Sequence, residues 1–286
     1  MKKNKVARAD FNEAGLPKNR RQVFFDCIKM RYFTLSLCGV ILVLFALPFL
    51  FALAYGDISS NAVYSKAVAD GAELVAAQAL FYQARNIAHF ICIPALMFWA
   101  VGFAGTTRVI RQIFWGEAVF FRLDFKDGVK QNSAAFCTVF GLWGTLVALN
   151  DFVLNSNLSP TFVKAIPMSV VCVIFLPISM FAMAQATVYK TSVGGNVKNA
   201  AILYLKTAPF TIIATIIALL PFLLLSIPNL IAKYLTIAVF VALLCPLFIM
   251  GIMLYCYGVF DKYINPEQYP EIVNKGIYVP RSDKDS

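Results

Sequence analysis

Six stretches of about twenty apolar residues recur along the chain, near 33–55, 87–107, 133–153, 166–188, 209–230 and 234–257. At helical rise, about 20 residues cross the hydrocarbon of a bilayer. Lipid offers no hydrogen bonds, so every backbone N–H and C=O must be satisfied within the segment, which a helix does. The expected fold is therefore all-α, a polytopic membrane protein with six transmembrane helices occupying 33–258. A basic segment, 1–32, precedes this domain and a tail, 259–286, follows it. Composition agrees, with a mean hydropathy of +0.72 and only 14% charged residues, against about 25% in a soluble domain.

Six crossings put both ends of the chain on one side, and the charges say which. Twenty-one of the 25 Lys and Arg residues fall before the first span, after the last, or in the second and fourth loops. Lys66, Arg85, Lys164 and Lys233 alone fall on the other side. Positive residues stay in the cytoplasm, so both termini are expected there, in the plasma membrane of a bacterium. Of the acidic residues, 11 share that side and 4 oppose it, so the net +10 belongs to the inner face. Topology and anionic lipid, attracted at about 1 kcal/mol per nearby Lys or Arg, account for the basicity without nucleic acid. The run of some thirty mostly polar residues before the first span is too long for a cleaved secretion signal, so that span reads as a retained anchor.

Between the second and third spans lies Trp115-Gly116-Glu117-Ala118-Val119-Phe120-Phe121-Arg122-Leu123-Asp124-Phe125-Lys126-Asp127-Gly128. At helical spacing Phe121, Phe125 and Val129 share one face, and Arg122, Lys126 and Lys130 the next. That pattern predicts an interfacial elbow helix, with aromatics in the acyl boundary and cations at the phosphates. Gly116 and Gly128 would turn the chain into and out of it. The segment around 20–32 mixes Phe24, Phe25 and Ile28 with Arg21, Lys29 and Arg31, and reads as a second interfacial helix. The external stretch 56–86 reads as a helix lying on the membrane or extending the second span.

The end of the elbow has an echo. Gly128-Val129-Lys130-Gln131-Asn132-Ser133-Ala134 and Gly195-Asn196-Val197-Lys198-Asn199-Ala200-Ala201 both fit Gly-x-x-(Gln/Lys)-Asn-(Ser/Ala)-Ala. The match suggests an internal repeat of a helix–elbow–helix unit. Asn199, which stands where the first copy has Asn132, is then a candidate packing polar residue. On Asp124-Phe125, Gly128 and Asn132, and on Lys198-Asn199-Ala200 running to Pro209, the chain resembles the YesL-like family of bacterial membrane proteins. The resemblance covers about residues 87–215. It implies a polytopic protein associated with carbohydrate uptake and carries over no catalytic residues. A longer basic N-terminus and a longer first external loop depart from the family pattern.

Spans 1, 2, 4, 5 and 6 hold Pro48, Pro94, Pro177, Pro221 and Pro246, while the third holds Gly141-Leu142-Trp143-Gly144, where another helix can approach. The seven cysteines are scattered with no C-x-x-C pair and read as small hydrophobes. No P-loop, H-E-x-x-H or G-x-S-x-G occurs, so no catalytic, cofactor or metal residue is assigned. His89, Arg85 and Asp151 are the polar groups nearest the spans, at their outer ends, and Arg85 is placed to pair with Asp151. Span interiors almost free of charge disfavour an ion-coupled carrier. The Glu-Ala-Ala-x-x-x-Gly pattern of import permeases is absent, since Glu117-Ala118-Val119 lacks the glycine. The favoured expectation is a non-catalytic protein, accessory or regulatory to a carbohydrate-uptake or related system. It would meet a transporter or sensor through Phe121, Arg122, Asp124, Phe125, Lys126, Gly128 and Asn132, with Gly195, Lys198 and Asn199. The alternative is a neutral-solute transporter or a permease subunit of an ATP-driven importer.

Overall fold

A computed structural model describes residues 16–155 and 161–278, with the backbone alone for 161–164. The basic residues Lys2, Lys3, Lys5 and Arg8, the Lys164 side chain, and Pro280, Arg281 and Lys284 lie outside this description. The described chain is all-helical, and six helices are long and apolar enough to cross a membrane.

The first two form a hairpin much longer than a bilayer is thick. α1 runs Arg20–Ala69 and α2 runs Leu74–Phe114. At 1.5 Å per residue the 50 residues of α1 span about 75 Å, against about 30 Å of hydrocarbon. The stretch 56–86, expected to be external, therefore extends both spans as one helical pair. Its turn is a Schellman motif: Gly71, at φ +81°, donates to Val68, and Ala72 donates to Ala67. Ala67 and Ala77, both buried, let the helices touch there, and Tyr64 meets Phe81 edge-on at 6.4 Å. Lower down, Phe45 stacks on Phe98 at 5.0 Å and Phe49 on Trp99 at 5.6 Å. Near its start α1 leaves helical geometry at Arg31 (φ −129°, ψ 22°), between 20–30 and the apolar run.

α2 ends in a second Schellman motif, with Gly116 at φ +71°. α3 then runs unbroken from Phe121 to Leu154. The elbow expected as a separate helix is thus the opening of the third span itself. Gly128 does not turn the chain; it sits inside α3, where its missing side chain admits α2. A Cβ there would stand 2.8 Å from the Ala104 carbonyl oxygen and the Arg108 Cβ. Gly141 and Gly144 serve the same pairing higher up, against Met97 and Leu96. That close approach is the one expected of Gly141 and Gly144.

The remaining spans are irregular where their prolines fall. The fourth comprises α4 (Thr161–Val170), a π turn (Val171–Phe175) and α5 (Leu176–Val188). Pro177 has no N–H for the Val173 carbonyl four residues back. The Tyr204 hydroxyl supplies that donor instead, at 2.7 Å. α6 runs Val193–Leu219, with Thr207 out of helical geometry two residues before Pro209. A 3₁₀ segment, Leu220–Ser226, begins around Pro221. The last expected span, 234–257, is two helices, α7 (Leu230–Leu243) and α8 (Cys245–Tyr263), because Pro246 falls at the start of α8. The Ala242 carbonyl, which Pro246 leaves without its i+4 donor, faces Gly39 of α1. Four-residue spacing along α6 buries Thr211 and Thr215, and Thr211 joins the Tyr255 hydroxyl of α8 at 2.7 Å.

At the end of the bundle away from the termini, ion pairs tie helix to helix. Asp57 of α1 takes Lys233 and the Tyr234 hydroxyl of α7. Asp151 lies 3.7 Å from Arg85 and 3.1 Å from His89, so the expected Arg85–Asp151 pair forms with His89 as its third member. All seven cysteines are unpaired, and five are buried.

Candidate docking face at the end carrying the termini

The row of residues that opens α3 has two faces of different fate. Asp124, buried, accepts the Phe120 N–H at 2.8 Å and so fills one of the donors that a helix start leaves open. It also suits the positive end of the helix dipole. Phe121 and Phe125 stack with centroids 6.3 Å apart, and Phe125 packs on Gly105 of α2 and 6.0 Å from Phe45 of α1. The aromatics expected in the acyl boundary therefore hold helices together. Gly128 and Asn132 continue the same buried row, and the Asn132 amide nitrogen has no hydrogen-bond partner among the described residues.

One position over, Arg122, Lys126 and Lys130 are exposed as expected. Among the described residues none of the three has an ion-pair partner. Neighbours four residues apart on a helix stand about 5–6 Å from one another at Cβ. The result is a short rail of free cations on a rigid helix. Arg108 of α2 beside it is engaged, with Gln131 at 2.6 Å and Asp127 at 3.8 Å.

The second motif lands elsewhere. Ser192 caps α6 by accepting the Gly195 N–H at 3.2 Å, so Gly195 lies in the first turn, whereas Gly128 lies in the third turn of α3. Lys198 and Asn199 are exposed, and the buried packing residue is Asn196, which takes the Thr191 hydroxyl. Asn199 is thus not the counterpart of Asn132. Similar residues occupy different depths of their helices.

The tail from Asp261, with Pro266, Pro270 and Pro280 and mixed charge, reads in sequence as extended or partly disordered chain laid against the inner face. Instead, Pro266 and Pro270 each sit at the start of a helical turn, α9 (Asn265–Gln268) and a 3₁₀ turn (Pro270–Ile272), where no N–H is needed. Folded this way, 261–278 clasps the ends of the bundle. Asp261 pairs with Arg20, and Arg20 also donates to the Lys275 carbonyl at 3.2 Å. Lys275 pairs with Glu117 and stands 4.3 Å over the Trp115 ring, whose vicinity it shares with Arg111 at 4.6 Å. Arg111, buried, donates to the Thr187 carbonyl at the end of α5. Tyr189 donates to Asn265 at 2.6 Å and stacks on Tyr269 at 4.8 Å. Burial, reinforced by Tyr257 and Asp261, pushes the Tyr189 phenol far above its usual range, so it remains a neutral donor. The Tyr278 backbone N–H donates to the Pro17 carbonyl at 2.8 Å, closing the loop between the two ends of the described chain. The sequence signal was the density of rings at Tyr257, Tyr263 and Tyr269 among the charges, unusual for a free tail.

No group of three or more His, Cys, Asp or Glu among the described residues could hold a metal ion. The acidic groups just described are engaged by cations or backbone donors. Chemically the face offers fixed positive charge, suited to an acidic surface or to phosphate. Comparison with family models, with curated proteins and with solved structures finds no match to this chain.

Proposed function

We propose that the chain is a non-catalytic, multi-pass protein of a bacterial plasma membrane, with both termini cytoplasmic, accessory or regulatory to a carbohydrate-uptake or related transport system. The observation that carries this reading is the cation rail Arg122, Lys126 and Lys130, exposed and without ion-pair partners among the described residues, beside Arg108, which Gln131 and Asp127 engage. An acidic surface on the cytoplasmic part of a transporter or sensor complements it in charge. The packed interior supports the same reading. Among the described residues, charged side chains cluster towards the two ends of the helices, and the mid-span Thr211 and Thr215 donate their hydroxyls to carbonyls one turn back on their own helix, Thr211 also joining Tyr255 of α8. Such an interior lacks the carboxylates that ion-coupled carriers keep within their spans.

The test places a photo-crosslinking residue at position 126 in native membranes. The expected product is an adduct with a subunit of a transport or sensor complex, lost when Arg122, Lys126 and Lys130 are changed together to Gln. The purified chain in liposomes should leave neutral solutes trapped. Passage of a sugar through such liposomes, with no protein adduct at position 126, would overturn the proposal in favour of transport by the chain itself.

A further inference from the structure

Away from the cation rail, a groove runs between the first turns of α1 and the middle of α8. Arg20, Arg21, Phe24, Phe25, Leu254 and Tyr255 line it, with Gly251 as its floor. Three properties define what it can hold. Its walls are almost entirely apolar. The Tyr255 hydroxyl is already joined to Thr211, and Gly251 offers no side chain. A Cβ on Gly251 would meet nothing nearer than the Phe24 ring at 3.9 Å, so the floor is open. At its terminal end stand two guanidinium groups in different states. Arg20 is tied to Asp261 and the Lys275 carbonyl, while its Nε is buried without a partner. Arg21 is exposed and has no ion-pair partner among the described residues.

A peptide in this groove would leave its backbone polar groups without partners. An acyl chain would not, and the exposed neighbours Phe25, Met30 and Phe33 (58%, 68% and 81% exposed) already need an apolar medium. We infer that the groove is a binding site for one anionic glycerophospholipid of the leaflet at this end, its acyl chain over Gly251 between Phe24 and Leu254 and its phosphate on Arg21. Guanidinium and phosphate match in charge and in hydrogen-bond geometry. The groove's α1 residues, 20–25, lie on the N-terminal side of the helix break at Arg31. The inference needs only that the bundle sits in a membrane; it does not need the cation rail to dock anything.

The test measures lipid retained by the detergent-purified full chain, using palmitoyl-oleoyl phosphatidylglycerol and phosphatidylcholine as probes and native mass spectrometry as the readout. One phosphatidylglycerol per chain is expected, held at least fivefold more than phosphatidylcholine. Arg21→Gln should bring the two lipids to equal retention. Gly251→Leu should fill the floor and cut phosphatidylglycerol at least fivefold, while Gly258→Leu, on the same helix with open space around it, should change nothing. Glycerol phosphate in millimolar excess should not displace the lipid. Equal retention of the two lipids by the unaltered chain would overturn the inference, as would full retention by Gly251→Leu. Displacement by glycerol phosphate alone would also overturn it, marking a site for free phosphate. The Arg122, Lys126 and Lys130 variant should keep its lipid, so failure of the docking reading and failure of this one give different results.

Discussion

Replacing Gly39 by alanine exchanges one hydrogen for a methyl group, a net gain of one carbon and two hydrogens, at a tight backbone contact between α1 and α7. The new Cβ would lie 2.6 Å from the carbonyl carbon of Ala242, 3.1 Å from its Cα, and closer still to its oxygen. Carbon atoms at ease stand about 3.5–4.0 Å apart, so the helices must separate by about 1 Å. Nothing flexible can yield, because the obstruction is main chain. The move would also open the packing of Cys38, Leu42 and Val241, all essentially buried. Overpacking typically costs about 1–3 kcal/mol, and a backbone obstacle puts this site at the upper end, about 3 kcal/mol. For a chain of this size that is a fall in Tm of roughly 6–12 °C. The assay is thermal unfolding of the detergent-purified protein followed by loss of its monodisperse elution peak. Gly258→Ala is the control, since its Cβ would meet nothing within 4 Å and alanine favours a helix over glycine by about 1 kcal/mol. The reasoning fails if Gly39→Ala melts within a degree of the unaltered chain.

Tyr204→Phe keeps the ring but removes the donor to Val173 in the π turn, and the cost should be about 1 kcal/mol, measured by the same melt. Unchanged melting would mean that the Val173 carbonyl finds another donor. Asp261→Asn strands Arg20 half-buried and should cost about 2 kcal/mol, and limited proteolysis should then reach 264–278 before the rest of the chain. Single cysteines at Glu73 and Lys198, on a background lacking the native thiols, should react with an impermeant maleimide from opposite sides of the membrane, Glu73 from outside intact cells. Labelling of both from one side would refute the six-crossing topology.

Much of this architecture could be read from residues in order, because the forces that decide it act within a few residues. Desolvation of the backbone sets where a helix must be, and Gly71 and Gly116, each two residues past the last helical turn, end α1 and α2 through local hydrogen bonds. Pro246 marks a break in the same way, although the apolar run around it hides that break from hydropathy alone. The charge count on either side of each span is equally local.

Other residues look alike in sequence and part company in space. Gly116 turns the chain while Gly128 admits a neighbouring helix, and the difference lies in Ala104 and Arg108, about twenty residues away. Phe121 and Phe125 have the spacing of a membrane-surface helix, but α1 and α2 reach them before lipid can. Asn132 is buried and Asn199 exposed in matching motifs, because the two helices begin at different points relative to them. The tail reads as loose chain until Arg20, Glu117 and Tyr189 gather around it, partners separated from it by roughly 80 to 250 residues. The sequence by itself determined that six helices long and apolar enough to cross a membrane form, since burying the backbone in lipid must be settled locally. Only the tertiary structure decided which carbonyl freed by a proline meets Tyr204 or Gly39, and which cations are left over. A released carbonyl or an unpaired charge takes its partner from whatever the fold brings near, not from its neighbours in the chain.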